Sequence, residues 1–158
     1  MVIEPMKCGT EEFEVHLPEE LIAAELEPNR VELPQRTPAE HIRWALDHPV
    51  DSAPLKELVK AGDKVCIVIS DVTRRWQSPE TYIPVLIAEL ECAGIRDEDM
   101  LIISATGTHR RQTPEEHMGL VTKEVYERIE LVDHVCTDEE NLSYVGTTSR
   151  ATPVWLDK

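Results

Sequence analysis

Two short apolar runs in the middle of the chain constrain its fold more than any other feature. Residues 64–70 form the first run and residues 101–103 form the second, and both are rich in residue types that favour strands. The segment between them has apolar residues at helical spacing and ends at a glycine. Strand, helix and strand make a unit with parallel strands and a right-handed crossover. The sequence therefore predicts an α/β fold with a parallel sheet.

Other elements are predicted from helix caps and from alternation of apolar and polar residues. Thr37 and Thr113, each followed by proline, are typical N-caps of helices. Alternation over residues 11–17 indicates a strand with one solvent-facing side. Residues 130–135 predict a third strand of the series, and residues 142–146 predict a shorter fourth strand. The predicted core-facing side of the middle helix contains Tyr82, Val85, Leu86, Leu90 and Ala93.

The predicted organisation is a single N-terminal α/β domain that covers residues 1–158. Residues 1–36 are interpreted as a strand followed by a connecting extension, and residues 37–158 as the core. The final residues, 151–158, begin like an apolar strand and have neither a cap nor a polar tail. We therefore expect the chain to be an incomplete fragment of a longer protein.

Composition excludes several classes of partner and compartment. The net charge of -15 argues against a nucleic-acid partner, which would require clustered Lys and Arg to neutralise phosphates. The four cysteines form no close-spaced pair, so neither a zinc knuckle nor a redox pair is predicted. No apolar run has the length of a signal peptide or of the ~20 residues that cross a bilayer. The sequence predicts a cytoplasmic protein without a membrane partner.

Polar and charged residues follow both central strands and are the candidates for chemistry. Asp71, Thr73 and Arg74 come directly after the first strand, and His109 and Arg110 come shortly after the second. Ligands of open α/β sheets bind at the carboxyl ends of the strands. Because parallel neighbours end at the same edge, we expect the two loops to face one crevice.

His109 is the candidate acid or base of this crevice. An imidazole has a reference pKa of ~6.5 and can exchange a proton near neutral pH. On loop position alone, a histidine bonded to a backbone carbonyl explains the residue equally well. Thr106 and Gly107 favour the functional interpretation, because they offer a hydroxyl and a backbone that a ligand can approach closely.

Asp71 and Arg74 form the complementary set in the first loop. A guanidinium can hold a carboxylate or a phosphate with two parallel hydrogen bonds, and an aspartate can orient a histidine. The alternative for an isolated pair of this kind is a surface ion pair of little energetic value. Neither strand is followed by the glycine fingerprint of a dinucleotide site, and no serine lies in a nucleophile elbow. No metal site is predicted from the residues of this chain.

The two loops resemble those of a known family. The segments Ser-Asp-Val-Thr-Arg at residues 70–74 and Ala-Thr-Gly-Thr-His-Arg at residues 105–110, followed by Thr-Pro-Glu-Glu at residues 113–116, are similar to the N-terminal domain of nickel-dependent lactate racemases. That family also includes racemases and epimerases of other 2-hydroxy acids. The resemblance extends from the first helix to Val145 and includes the order and spacing of the segments.

The resemblance implies a Rossmann-like, three-layer α/β domain that forms one wall of a cleft, in a two-domain protein. It implies a nickel-pincer nucleotide as cofactor, a small 2-hydroxy acid as substrate, and proton abstraction coupled to hydride transfer. His109 matches one of two acid/base histidines, Arg74 matches the substrate-binding arginine, and Asp71 matches an active-site aspartate. Thr73, Thr106 and Gly107 are carried over only as residues that line the cofactor side of the cleft.

The same resemblance assigns several essential groups to sequence beyond Lys158. These are the lysine that carries the cofactor, the histidine that binds nickel and the second catalytic histidine. We therefore expect the cofactor only in the full-length protein and expect this chain alone to be inactive. Family loops commonly have proline after the arginine that matches Arg74, whereas Arg75 and Trp76 follow here. The alternatives are a non-catalytic module that binds a nucleotide or an anion and, less favoured, a fragment of a nicotinamide-dependent oxidoreductase.

Overall fold

The structure, a computed structural model, describes residues 1–158, the whole chain. Its strands are β1 (Val2–Cys8), β2 (Glu11–Leu17), β3 (Val65–Ser70), β4 (Met100–Ala105), β5 (Glu130–Asp133), β6 (Leu142–Thr147) and β7 (Pro153–Asp157). Its α-helices are α1 (Pro38–Asp47), α2 (Leu55–Leu58), α3 (Pro79–Cys92), α4 (Pro114–Val121) and α5 (Lys123–Arg128). The chain forms two compact units, Met1–Gln35 and Arg36–Lys158.

The first unit is built on a β-hairpin. Strands β1 and β2 pair antiparallel, with Val2 opposite Leu17 and Cys8 opposite Glu11. The turn between them contains Gly9, whose φ of +64° lies in the left-handed region that glycine adopts without steric cost. The strand predicted over residues 11–17 is present, whereas β1 was not predicted because charged residues and a proline interrupt its apolar pattern.

The second unit contains a three-stranded sheet in the order β3-β4-β5, and both pairs of strands are parallel. Val65 lies opposite Met100 and Ser70 lies opposite Ala105, so β3 and β4 end at the same level. This arrangement confirms the predicted α/β class, the mainly parallel sheet and the parallel pairing of the two central strands.

One face of this sheet forms the hydrophobic core. Ile67 and Ile69 of β3 and Ile102 of β4 are buried against residues of α3, α4 and α5. Strand geometry alternates the faces of successive side chains, and Val68, between the two buried isoleucines, is 66% exposed. The hydrophobic core therefore lies between the sheet and the helices that cover one of its faces.

Helix α3 buries a stripe that only partly overlaps the predicted one. Val85 and Leu90 are buried as predicted, whereas Tyr82 and Leu86 are only partly buried at the margin of the core. Ile83 and Ile87, which lie outside the predicted stripe, are at most 2% exposed. The reason is that residues 82–88 are apolar almost without interruption. Such a helix has no polar face to mark its orientation, so the sheet selects which stripe is buried.

The predicted fourth strand of the series does not join the sheet. Strand β6 pairs antiparallel with β7 in a separate two-stranded sheet, with an irregularity between Tyr144 and Gly146. A parallel addition to the sheet would need a crossover of about a dozen residues or more, and only residues 134–141 separate β5 from β6. The short connection between β6 and β7 instead allows a hairpin.

Helices α1 and α4 begin as predicted. The side chains of Thr37 and Thr113 accept hydrogen bonds from the backbone N–H groups of Glu40 and Glu116, and both glutamates bond back to the capping residue. These capping boxes satisfy donors that a helix end leaves unpaired. None of the helices combines the length and the apolar character required to cross a membrane.

The alternation in β3 gives a test of the core. Ile69→Ala should lower the free energy of unfolding of this chain by about 2–5 kcal/mol, because it leaves a cavity at a 3% exposed position. Val68→Ala, one residue away on the exposed face, should change it by about 0.5 kcal/mol or less. Urea denaturation of both variants measures the difference, and similar losses would contradict the assignment of the two faces.

Candidate active site

Asp71, the residue that follows β3, is a buried carboxylate at the carboxyl edge of the sheet. Its side chain is 6% exposed. One carboxylate oxygen, Oδ1, accepts the backbone N–H of Thr73 at 3.1 Å and also the Thr73 hydroxyl. These bonds cap the 3-10 helix Val72–Gln77, so the predicted loop after β3 has 3-10 helical structure. Thr73 therefore orients Asp71, and both of its polar groups serve that purpose.

The second oxygen of Asp71 contacts His109. The Nδ1 atom of His109 is hydrogen-bonded to Asp71 Oδ2, which joins the loop after β4 to the loop after β3. The His109 side chain is 52% exposed, and its Nε2 atom makes no hydrogen bond within the chain. The imidazole is thus held at one nitrogen and open at the other.

The ionisation of Asp71 determines which nitrogen of His109 carries the hydrogen. Burial by itself would raise the pKa of Asp71, but the hydrogen bonds from Thr73 and His109 outweigh this effect and hold the pKa below its usual value. An ionised carboxylate can only accept hydrogen bonds. In the neutral imidazole the hydrogen therefore lies on Nδ1, and Nε2, which has no partner within the chain, keeps a lone pair that can accept a proton.

A tight turn brings His109 back towards β3. The backbone N–H of His109 donates to the Thr106 carbonyl at 3.0 Å, and Gly107 within the turn has a φ of +60°. Apart from Gly107 itself and its two neighbours in the chain, no residue has a heavy atom within 4 Å of the position that a Gly107 Cβ would occupy. The buried Thr106 hydroxyl donates to the carbonyl of His134, next to β5. Gly107 thus leaves an open backbone surface, while the Thr106 hydroxyl is engaged between strands.

The arginines near this edge differ in how their charge is balanced. Arg110 forms a two-point ion pair with Glu116, at 2.8 and 2.7 Å. That pair, together with the N-cap of α4, lowers the pKa of Glu116 to about 2. Arg74 is exposed, forms no ion pair, and makes one long hydrogen bond of 3.4 Å to the Thr73 hydroxyl. Arg74 therefore retains a guanidinium that an incoming anion can bind.

A buried polar network next to this pair was not predicted from the sequence. Its members are Gln112, Ser104, Asp133 and His117, which are hydrogen-bonded to one another. The rule that identified Asp71, a polar residue at the end of an apolar strand, also applies to Asp133 at the end of β5. Gln112 has no such signal, because it lies in a short polar loop without periodicity.

The structure thus places the predicted residues in two groups. Asp71, Thr73 and His109 are directly hydrogen-bonded, and Arg74 lies in the same short 3-10 helix as Thr73. Thr106 and Gly107 lie in the turn that carries His109. No group of three or more His, Cys, Asp or Glu side chains is arranged to hold a metal ion.

These features define a class: an α/β domain with an Asp–His pair at the carboxyl edge of a parallel sheet. A family model described as the lactate racemase N-terminal domain matches residues 8–158. The chain belongs to this family.

Individual relatives agree with the family match. Lactate racemase from Lactiplantibacillus plantarum is 32% identical over 107 residues, which covers 68% of this chain and 25% of the relative. Lactate racemase from Thermoanaerobacterium thermosaccharolyticum is 28% identical over 106 residues, which covers 67% of this chain and 24% of the relative. The chain therefore spans about a quarter of the length of the curated relatives it matches.

Solved structures show the same fold. The structure of the lactate racemase apoprotein from Thermoanaerobacterium thermosaccharolyticum superposes with a TM-score of 0.78 at 22% identity, over 99% of this chain and 36% of that chain. A crystal structure of a protein from Thermotoga maritima superposes with a TM-score of 0.57 at 26% identity, over 70% of this chain and 24% of that chain. The Rossmann-like fold and the partial coverage of a longer protein are both confirmed by these likenesses.

The lowered pKa of Asp71 predicts how stability depends on pH. Because its folded pKa lies below its unfolded value of about 3.9, Asp71 stabilises the fold above that pH and loses this contribution as the pH falls through the folded pKa. Asp71→Asn should therefore flatten the decline of the unfolding free energy below about pH 4. Urea denaturation at a series of pH values measures this decline in the unfolding free energy.

The control is Asp51→Asn, which removes an exposed carboxyl group that makes no hydrogen bond or ion pair. This variant should retain the decline of the unsubstituted chain. An equally steep decline in Asp71→Asn would contradict the assigned role of the Asp71 hydrogen bonds.

Proposed function

We propose that this chain is the N-terminal, cleft-forming domain of a racemase or epimerase of lactate or another small 2-hydroxy acid, an isomerase in its full-length form. The observation that carries the proposal is the Asp71–His109 pair, in which a buried carboxylate holds Nδ1 of a half-exposed imidazole and Nε2 makes no hydrogen bond within the chain. Membership of the lactate racemase N-terminal domain family supports the choice of substrate class.

His109 acts as the general base and acid in this proposal. Its Nε2 lone pair accepts the proton of the substrate hydroxyl, and the imidazolium that results is stabilised by the Asp71 carboxylate at Nδ1. Returning the same proton from Nε2 restores the neutral ring. Asp71 remains ionised throughout, because Thr73 continues to donate two hydrogen bonds to it.

Arg74 binds the substrate carboxylate. Its exposed guanidinium has no carboxylate partner in the chain, and a planar guanidinium can bind a carboxylate with two parallel hydrogen bonds. Arg110 is less suited to this role, since Glu116 already occupies both of its terminal nitrogens. A small molecule with a carboxylate next to a hydroxyl matches a site that offers one cation and one proton acceptor.

The family resemblance implies a nickel-pincer nucleotide as cofactor. This chain does not offer a set of ligands for the metal of that cofactor, since no three ligating side chains converge. We place those ligands in the remainder of the full-length protein. The open backbone at Gly107 fits a lining role, because nothing occupies the space beside it. When bound, the cofactor would accept and return a hydride, and the residues of this chain would handle the proton and the carboxylate.

Replacing the proposed base tests the mechanism. In the full-length, cofactor-loaded protein, His109→Ala should lower interconversion of both enantiomers by about 10²-fold or more, because general acid–base catalysis typically contributes that much. Chiral chromatography of lactate incubated from either enantiomer measures the rate. The control is His48→Ala, which removes an exposed histidine at the end of α1. Unchanged turnover in His109→Ala would refute the assignment.

Replacing the proposed carboxylate ligand should act mainly on binding. Arg74→Met should raise KM for the hydroxy acid by about tenfold or more, because a hydrogen bond to a charged group contributes about 1.5–3 kcal/mol. Arg43→Met, which removes an exposed arginine of α1, should leave KM unchanged. Steady-state kinetics of the two variants measures this difference. A KM for Arg74→Met equal to that for Arg43→Met would show that Arg74 does not bind the substrate.

A further inference from the structure

The side chain of Gln112 connects the ends of all three parallel strands. Its Oε1 atom accepts the backbone N–H of Val72 at 2.7 Å. Its Nε2 atom donates to Ser104 Oγ of β4 at 2.6 Å and to Asp133 Oδ1 of β5 at 2.9 Å. The amide therefore joins the loop after β3 to the two other strands.

The chemistry of these partners determines the orientation of the amide. The Val72 N–H is a donor and needs an oxygen, while the Asp133 carboxylate is an acceptor and needs the NH₂ group. Reversing the amide would place NH₂ against N–H and oxygen against carboxylate. Gln112 consequently has one arrangement in which every partner is satisfied.

Asp133 is the anchor of this connection. Its side chain is 5% exposed and accepts the Gln112 backbone N–H at 2.8 Å, the Gln112 amide at 2.9 Å and His117 Nε2 at 2.9 Å. Burial would raise the pKa of Asp133, but these hydrogen bonds, from Gln112 first, hold it below its usual value. A buried carboxylate with three donors gives Gln112 a fixed support.

The position of Gln112 in the chain relates this support to the catalytic pair. Gln112 lies three residues after His109 in the same loop, and its partner Val72 is the residue after Asp71. One side chain thus links the backbone next to Asp71 to the loop that carries His109. No other single side chain is hydrogen-bonded to the loop after β3 and also to both β4 and β5.

We infer that Gln112 is a positioning residue, which fixes the Asp71 loop against the His109 loop so that the carboxylate meets Nδ1. This inference rests on the proposed function for its effect on turnover, but its effect on the His109 ring is independent of turnover. Misplacement of a catalytic group by about 1 Å can cost about 10²-fold in rate. The residue is expected to act on kcat, since it does not touch the substrate.

The first measurement is the tautomer of His109 by ¹⁵N NMR of the imidazole, in the full-length protein without added cofactor. In the unsubstituted protein the neutral ring should carry its hydrogen on Nδ1. Gln112→Met keeps the side-chain length and removes every polar atom, and it should give a mixture of tautomers. Ile87→Val, in the core face of α3, perturbs packing away from these loops and should retain the Nδ1–H form.

The second measurement is the kinetic effect in the cofactor-loaded protein. Gln112→Met should lower kcat by about 10- to 100-fold while KM changes by about twofold or less. A purely structural role would reduce the amount of folded enzyme and leave the tautomer of the folded fraction unchanged. The NMR spectrum and kcat therefore have to change together.

A paired substitution provides a rescue. Gln112→Glu places a second carboxylate against Asp133. It should disturb the tautomer and kcat as much as Gln112→Met does, because no hydrogen then lies between the facing oxygens of Glu and Asp133. Adding Asp133→Asn supplies an amide NH₂ with two hydrogens. One can bond the new carboxylate, which still accepts the Val72 N–H, and the other can bond His117 Nε2 once the His117 ring carries its own hydrogen on Nδ1. The double variant should regain the Nδ1–H tautomer and most of kcat.

The outcomes separate this inference from the proposed function. An unchanged His109 tautomer in Gln112→Met would overturn the inference, whether or not kcat falls. If Gln112→Met does not fold, the pair Gln112→Glu and Gln112→Glu with Asp133→Asn decides, and failure of the double variant to recover the tautomer overturns the inference. If no 2-hydroxy acid is interconverted by the unsubstituted protein, the proposed function fails and the tautomer still decides the role of Gln112.

Discussion

The parallel pairing of β3 with β4 is the constraint on which the candidate site depends. Ser70 lies opposite Ala105, so the segments that follow the two strands leave the sheet side by side. Asp71 and His109, 38 positions apart in the chain, are thereby brought into hydrogen-bond contact. A register shift of one residue would turn every side chain of a strand to the other face and would remove this contact.

Two of the nearly buried carboxylates, those of Asp71 and Asp133, lie at the ends of the parallel strands in a chain whose net charge is -15. Burial of an ionised carboxylate is unfavourable unless donors surround it. Asp71 obtains its donors from Thr73 and His109, and Asp133 obtains them from Gln112 and His117. Because His109, Gln112 and His117 belong to the loop after β4 or to the helix that follows it, satisfying the carboxylates and assembling the site occur together.

Local patterns predicted the elements that depend on a few neighbouring residues. The N-cap at Thr113 and the strands β3 and β4 could be predicted because each depends on side chains that are close together in the sequence. The buried stripe of α3 and the partner of β6 did not follow in the same way. A helix that is apolar all round takes its orientation from the sheet, and a short strand pairs with whichever edge its connections allow.

The sequence by itself determined the strand, helix and strand order at the centre of the chain, the parallel class of the central sheet and the polar residues at the strand ends. Only the tertiary structure decided which of those residues engage each other. It engages Arg110 with Glu116 and leaves Arg74 without a counter-ion, although both are arginines in loops at the same edge. It also brings Gln112 to Asp133. The physical reason is that hydrogen bonds and burial act between groups that folding brings together, whereas periodicity and caps act between neighbours along the chain.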